Sequence, residues 1–425
     1  MAGHVFTGFG FGPIQGGLFA NEAFQSGNFT RIVVAEIESD LVDAVRANKA
    51  SYYVNVAGSD GIETLKIDNV ELLNPSIPAD RQKLIEVLAQ STEIVTSLPS
   101  VNFYEAGEDN SVVSLIAEGL KNSSAEATII YTAENNNHAA EILKKAVSEK
   151  DAAQSEKKVQ FLNTVIGKMS RVVTDSAEIA ELNLKTIAPG IERAFLVEQF
   201  NRILVSRTQI AGFEPGIKVF LEKDDLLPFE EAKLFGHNAI HSLLGFIGAV
   251  KGGRSMTGLK NDRAVMQIGR DAFLQESGAA LIKKYSYLGD ELFTESGFRD
   301  YAEDLLERMT NPYLGDTVAR VVRDVVRKLE IDGRIFGTMQ LALENGIEPK
   351  NMALGAIAGI AILLQKAQEY DLPEDLRFGD WRKLDETKIE KIVNWLRNGK
   401  SCKQADQIIK SINNAKEYLI ALTSD

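Results

Sequence analysis

Lys233, Asn238 and His241 stand in the order Lys-x4-Asn-x2-His, with His237 between them. On a helix at about 100° per residue these four side chains fall within an arc of roughly 140°. An amine, an amide and an imidazole on one face suit proton transfer beside a carbonyl. The amine gives or takes the proton, and the amide polarises the oxygen. The same residues also fit a solvated lysine beside two ordinary helix histidines. His237 and His241 are spaced like a two-histidine metal pair. The chain has only four histidines and one cysteine and shows no third ligand, so no metal is expected.

A second group lies in VARVVRDVVRKL, residues 318–329, followed by Arg334. On one continuous helix Arg320, Arg323 and Arg327 fall within about 60° of each other, with Lys328 adjoining. Only Asp324 intervenes among the valines. Guanidinium groups gathered beside an apolar stripe suit an anion; a solvated helix face fits them equally well.

The third group is at the N-terminus, where a strand at His4–Gly8 runs into Gly10-Phe11-Gly12-Pro13-Ile14-Gln15-Gly16-Gly17 and then a helix. Gly10 and Gly12 allow a tight turn and close approach of main chain to a pyrophosphate. Pro13 and Ile14 open the helix, whose N–H groups favour an anion. Gln15 stands where a third glycine is usual. Glu36 ends the second strand, where an acid accepts ribose hydroxyls and repels a 2′-phosphate, which favours NAD over NADP. Fourth, Asn135 sits in Glu134-Asn135-Asn136-Asn137-His138, directly after a strand at Ala127–Ala133. An amide there can donate to a substrate oxygen, or the stretch can simply cap the next helix.

The elements that must hold these groups follow from hydrophobic period. Strand patterns at His4–Gly8, Arg31–Glu36, Ser51–Ala57, Thr64–Leu73, Glu93–Ser97 and Ala127–Ala133 alternate with helical stretches. That alternation predicts a doubly wound parallel sheet. Val159–Val173 and Arg193–Val205 are expected to add strands to it, and polar Glu149–Lys158 reads as a surface loop. After Gly212–Gly216 only helical periods remain, including Phe229–Val250, Asp262–Lys284 and Thr317–Lys328. The expectation is an α/β domain over residues 1–210 that binds a dinucleotide. An all-α domain over 211–425 would bind substrate and carry the catalytic group.

Composition bounds the partners. The 425 residues are 44% hydrophobic and 25% charged, which fits two globular domains. A net charge of −13 argues against a nucleic-acid coat. The longest apolar run, Met352–Leu364, is 13 residues, short of the roughly 20 a membrane span needs. The lone Cys402 excludes an internal disulfide framework and fits a reducing cytosol. A cytoplasmic monomer or small homo-oligomer is expected, with neither nucleic acid nor membrane as partner.

Taken in order, the four groups resemble the long-chain polyol, or mannitol, dehydrogenase family. Lys233, Asn238 and His241 match that family's most specific motif. Phe229–His241 (FEEAKLFGHNAIH), Glu276–Tyr285, Asn311–Asp316 and Arg327–Leu329 look closest to its mannitol-1-phosphate branch. The resemblance spans Gly10 to about Ile360. It implies a Rossmann-type N-terminal domain, a helical C-terminal domain, a site in the cleft between them, and metal-independent hydride transfer with NAD. By matching position Lys233 would be the general acid/base. Asn135 and Asn238 would polarise the substrate oxygen, and His241 would orient substrate and lysine. His237, Lys168, Arg320, Arg323, Arg327, Lys328 and Arg334 would lie toward a sugar or sugar-phosphate substrate. The chain departs from the family pattern at Gln15, at Gly167-Lys168 and at Val325. A sugar-phosphate substrate, most simply mannitol 1-phosphate or fructose 6-phosphate, heads the expectations. A hexuronate reductase, an unphosphorylated polyol dehydrogenase and a non-catalytic NAD-binding regulator are the alternatives.

Overall fold

The computed structural model describes residues 3–150 and 158–424. Most of the polar stretch read as a loop at 149–158 lies outside them. The chain divides into two compact units, Met1–Leu227 and Pro228–Asp425.

The first unit is built on twelve strands: β1 (His4–Phe9), β2 (Phe29–Ala35), β3 (Tyr52–Ala57), β4 (Ile62–Ile67), β5 (Val70–Leu73), β6 (Glu93–Thr96), β7 (Thr128–Thr132), β8 (Val159–Ile166), β9 (Ser170–Val173), β10 (Ala194–Glu198), β11 (Ile203–Ser206) and β12 (Phe220–Lys223). Eight form one sheet in the order β12-β11-β8-β7-β6-β1-β2-β5. All neighbours run parallel except β8 and β11. The central strands β6 and β7 are buried along their whole length, and their consecutive apolar residues serve cores on both faces. Val34, Val95, Ile129 and Tyr131 enter one core. Their sequence neighbours Val33, Ile94 and Ile130 enter the other, with Leu84, Leu88, Leu115 and Leu143 from the covering helices.

Two strand expectations are corrected. Thr64–Leu73 is not one strand: Asn69 takes a left-handed φ of 58° and splits it. The first half pairs with β3, and the second becomes an edge of the large sheet. Likewise β9 and β10 do not extend the large sheet. With β3 and β4 they form a separate sheet in the order β4-β3-β10-β9. The large sheet also runs past the expected 210/211 boundary. It takes in β12, whose four residues FLEK are too short and polar to read as a strand.

The second unit is helical. Among its described residues the sole β pairing is an isolated bridge between Ser255 and Thr317. The apolar run becomes helix Lys350–Gln365, with Met352 to Leu364 all buried. No described helix is long and apolar enough to cross a membrane. Two expected helices contain a widened π-turn, at Ala232–Asn238 and at Ala272–Gly278. The stretch expected as one helix at Thr317–Lys328 is broken. Val318–Val321 and Val325–Leu329 are separated by Asp324, whose φ is 53°. An aspartate tolerates that left-handed state better than a β-branched neighbour would.

Candidate functional site

In the first unit the sheet order places β1 between β6 and β2, so the chain turns opposite ways at the carboxyl ends of β1 and β6. Such a switch point is where open α/β sheets bind ligands. Gly10 follows β1 with φ 80°, and a Cβ there would sit 2.8 Å from the Ser97 carbonyl oxygen beyond β6. At Gly12 an added Cβ would meet nothing within 4 Å. Pro13 and Ile14 begin the following helix; Pro13 has no N–H and Gly16 N–H donates to the Gly12 carbonyl at 2.8 Å, so the Ile14 and Gln15 N–H groups are those the first turn leaves open.

Glu36 is buried at the tip of β2. Its carboxylate accepts the Phe11 N–H at 2.7 Å and the Glu38 N–H at 2.9 Å. It therefore holds the glycine loop, a role the sequence spacing did not reveal. Gln15 is fully buried, and its amide has no hydrogen-bond partner among the described residues. A Cβ on Gly8 would come within 1.7 Å of Gln15 Nε2. Gly8 on the strand thus provides the close helix–strand approach that a glycine at position 15 usually provides. Gly16 and Gly17 serve the other side, where a Cβ would strike Phe195 or Val197 of β10 at 2.7 and 2.5 Å.

Asn135 lies exposed beyond β7, and its amide makes no hydrogen bond among the described residues. Its neighbour Glu134 is what fixes the turn. The buried carboxylate accepts from Thr96 Oγ1 at 2.9 Å, Leu98 N at 2.8 Å and the Tyr104 hydroxyl at 2.5 Å. Lys168 is also on this unit. It is 9% exposed, and its Nζ donates to the Phe200 carbonyl at 2.8 Å.

In the second unit the π-turn Ala232–Asn238 carries Lys233, His237 and Asn238. In an α-helix, residues five apart stand about 140° apart; the i→i+5 register of a π-turn brings them to within about 50°, closer to a common face. The Lys-x4-Asn spacing is thus the spacing of this turn. The widened turn is held by its partner π-turn. Ser277 Oγ donates to the Phe235 carbonyl at 2.8 Å, and Gly236 leaves room for the Phe273 ring.

Lys233 makes no hydrogen bond or ion pair among the described residues. Burial, then the nearby positive Arg334, brings its pKa from 10.5 to about 8. His237 is buried, and its pKa is pushed well down by burial first and then by the cations around it. His241 is buried beside it with ring centroids 6.3 Å apart. Its Nε2 lies 3.0 Å from Asp316 Oδ2. Burial lowers the His241 pKa, and Asp316 restores part of the loss. Among the described residues no three histidine, cysteine or acidic side chains gather as a metal site.

Two matches decide the family. The mannitol dehydrogenase Rossmann domain model covers residues 6–219, and the mannitol dehydrogenase C-terminal domain model covers 225–420. The chain belongs to the mannitol dehydrogenase family. It is an oxidoreductase of that family, with the α/β and helical halves the family resemblance implied. A mannitol-1-phosphate 5-dehydrogenase of Buchnera aphidicola is 26% identical over 358 residues, covering 82% of this chain and 84% of the relative. In fold, the chain matches the Pseudomonas fluorescens mannitol 2-dehydrogenase, solved as a ternary complex with NAD and D-mannitol. That match has TM-score 0.71 and 18% identity over 99% of this chain and 92% of that one. A substrate-free D-sorbitol dehydrogenase matches with TM-score 0.70 and 16% identity, over 96% and 95% of the two chains.

Within this family member the arginine group is not the single helical face expected. The break at Asp324 takes Arg323 and Arg327 off a common face with Arg320. Arg323 is exposed, and Arg327 is exposed and 3.5 Å from Asp324. Lys328 is buried, and its Nζ donates to the carbonyls of Val321, at 2.6 Å, and Arg323. Burial, then Arg334, lowers its pKa to about 7. It closes the broken helix end. Arg320 makes a two-pronged pair with Asp316, both bonds 2.6 Å. Arg334, like exposed Arg323 and carbonyl-bound Lys328, has no carboxylate at ion-pair distance among the described residues. It donates to Ser242 Oγ at 3.3 Å, and burial followed by Arg327 and Arg320 lowers its pKa to about 10. Sequence reasoning missed Asp316 and Glu134 as site residues. Both lie in stretches it had singled out, but their partners are distant in sequence or hidden by the helix break.

Proposed function

We propose that the chain interconverts a secondary alcohol and a ketone of a sugar phosphate using NAD(H), with Lys233 as general acid/base and no metal. The observation that carries this reading is Lys233: an amine with a pKa of about 8, in the same π-turn as Asn238. An unperturbed lysine is almost wholly charged at neutral pH and makes a poor base. In oxidation the neutral Lys233 takes the hydroxyl proton. In reduction its ammonium returns a proton to the nascent alkoxide, while the Asn238 and Asn135 amides donate to that oxygen. His241 is assigned to orient the substrate.

The glycine loop fits NAD. Gly10 and Gly12 leave room for the diphosphate against the helix start, and Glu36 is pinned by two N–H groups where the adenosine ribose would lie. A carboxylate so held cannot turn away from a 2′-phosphate, which favours NAD over NADP. When bound, the nicotinamide accepts or returns the hydride.

For the substrate anion the support is Arg334, a largely buried guanidinium without a carboxylate partner among the described residues, in the same unit as Lys233. A phosphate accepts several such donors at once. Mannitol 1-phosphate and fructose 6-phosphate are the proposed pair. An unphosphorylated polyol is the second reading, favoured because Arg320 and Lys328 already have partners within the chain. Comparing kcat/KM on mannitol 1-phosphate, mannitol and a hexuronate, with NAD and with NADP, decides among these. The proposed reading requires the phosphorylated hexitol with NAD to be the best pair. Absence of turnover on all three would leave the non-catalytic alternative.

A further inference from the structure

Asp316 lies outside the Lys-x4-Asn-x2-His motif, yet it joins His241 of that motif to Arg320. It stands just before the short helix Val318–Val321, and its main chain is fixed from both sides. Met256 N donates to the Asp316 carbonyl at 2.9 Å, and the neighbouring Thr317 bridges to Ser255. The side chain is only 7% exposed. Its Oδ1 accepts Arg320 Nε and its Oδ2 accepts Arg320 Nη2, each at 2.6 Å. The same Oδ2 lies 3.0 Å from His241 Nε2. Burial works to raise the Asp316 pKa. The contacts with His241 and Arg320 outweigh it and hold the carboxyl well below its usual range.

We propose that Asp316 is a positioning residue that sets the tautomer and ring orientation of His241 and the direction of Arg320. An ionised carboxylate is an acceptor only, so at 3.0 Å His241 faces it with Nε2–H rather than a lone pair, although the N–H is not aligned on Oδ2 as a full hydrogen bond. Nδ1 is then an acceptor, and it has no hydrogen-bond partner among the described residues. A substrate hydroxyl can donate to it. The two-pronged pair likewise fixes the plane of the Arg320 guanidinium. This rests on the reading that His241 and Arg320 serve the substrate.

The experiment is Asp316→Leu, which is similar in size and offers His241 and Arg320 no acceptor. Nitrogen-15 NMR of histidine-labelled protein, with His241 assigned from His241→Ala, should show the Nε2–H form alone in the wild type and loss of that single form in the variant. The other three histidines should be unchanged. On mannitol 1-phosphate with NAD, kcat/KM should fall about 10- to 100-fold, the weight of a charge-assisted hydrogen bond. In a His241→Ala, Arg320→Ala background the same change should cost less than about twofold, because its targets are gone. A wild-type His241 protonated on Nδ1 overturns the proposal without any variant. A full, additive loss in the double background overturns it too, since that marks a general structural role. The NMR arm needs no turnover, so it stands apart from the proposed reaction, which fails instead if Lys233→Ala keeps wild-type activity.

Discussion

The pKa of Lys233 converts directly into a rate profile. At about 8, roughly one quarter of the amines are neutral at pH 7.5; at 10.5 the figure would be roughly 0.1%. The environment of Lys233 therefore supplies about 200-fold more base at that pH. For alcohol oxidation, kcat/KM should rise about tenfold per pH unit up to about 8 and level off above it. For ketone reduction the ammonium is the competent form, so the profile should be level below about 8 and fall above it. Lys233→Ala should lower turnover by a factor of about 100 or more and remove this limb. Small primary amines added to that variant should restore part of the oxidation rate, following the concentration of the neutral amine. NAD(H) affinity, read by fluorescence titration, should hardly change. A wild-type profile flat between pH 6.5 and 9 would refute the reasoning, as would a variant that keeps the limb and most of its turnover.

Other expected outcomes follow from single contacts. Arg334→Ala should weaken kcat/KM on mannitol 1-phosphate by roughly 10- to 150-fold and barely alter it on mannitol, whereas Arg327→Ala should cost little on either; equal losses on both substrates would make Arg334 structural. Glu36→Ala should narrow the preference for NAD over NADP in a two-cofactor assay and lower the affinity for both, because the Phe11 N–H loses its acceptor. Glu276 accepts the Asn351 and Met352 N–H groups at 2.6 and 2.9 Å at the start of helix Lys350–Gln365. Glu276→Ala should destabilise by about 2–3 kcal/mol, visible as a melting point lower by several degrees. Dialysis against a chelator should leave activity intact; loss that zinc restores would revive the His237–His241 pair as ligands.

Much of the molecule is legible in sequence because its strong signals are local. RIVVA, EIVT and ATIIYT carry consecutive apolar residues rather than an alternation, as a strand covered on both faces demands. The Gly10–Gly17 turn and the Lys-x4-Asn-x2-His spacing are equally local. What escaped depends on single backbone states. Asn69 and Asp324 take left-handed φ values that no periodicity marks, so one expected strand becomes two and one expected helix breaks. The break changes the fate of the arginines more than their own identities do. The π-turn is a milder case. The α-helical reading put Lys233 and Asn238 on one broad face, and the wider turn brings them closer together on it. Sheet membership escaped as well: β9 and β10 look like any other short strands, and only the pairing of β10 with β3, and of β9 with β10, assigns them to the second sheet.

Gln15 and Gly8 have a consequence for how this chain can change. The pair shares one volume, since a Cβ at position 8 would fall 1.7 Å from the Gln15 amide. A lineage carrying both cannot gain a side chain at Gly8 first, because the newcomer overlaps a fully enclosed neighbour. The opposite order is passable. Gln15→Gly removes an enclosed amide with no partner among the described residues and leaves a void, which a later residue at position 8 can fill. Of the two routes between this loop and the usual three-glycine form, only one has a folded intermediate. A library that varies both positions together should recover the double exchange and Gln15→Gly alone, and should lack variants with a large residue at position 8 beside Gln15.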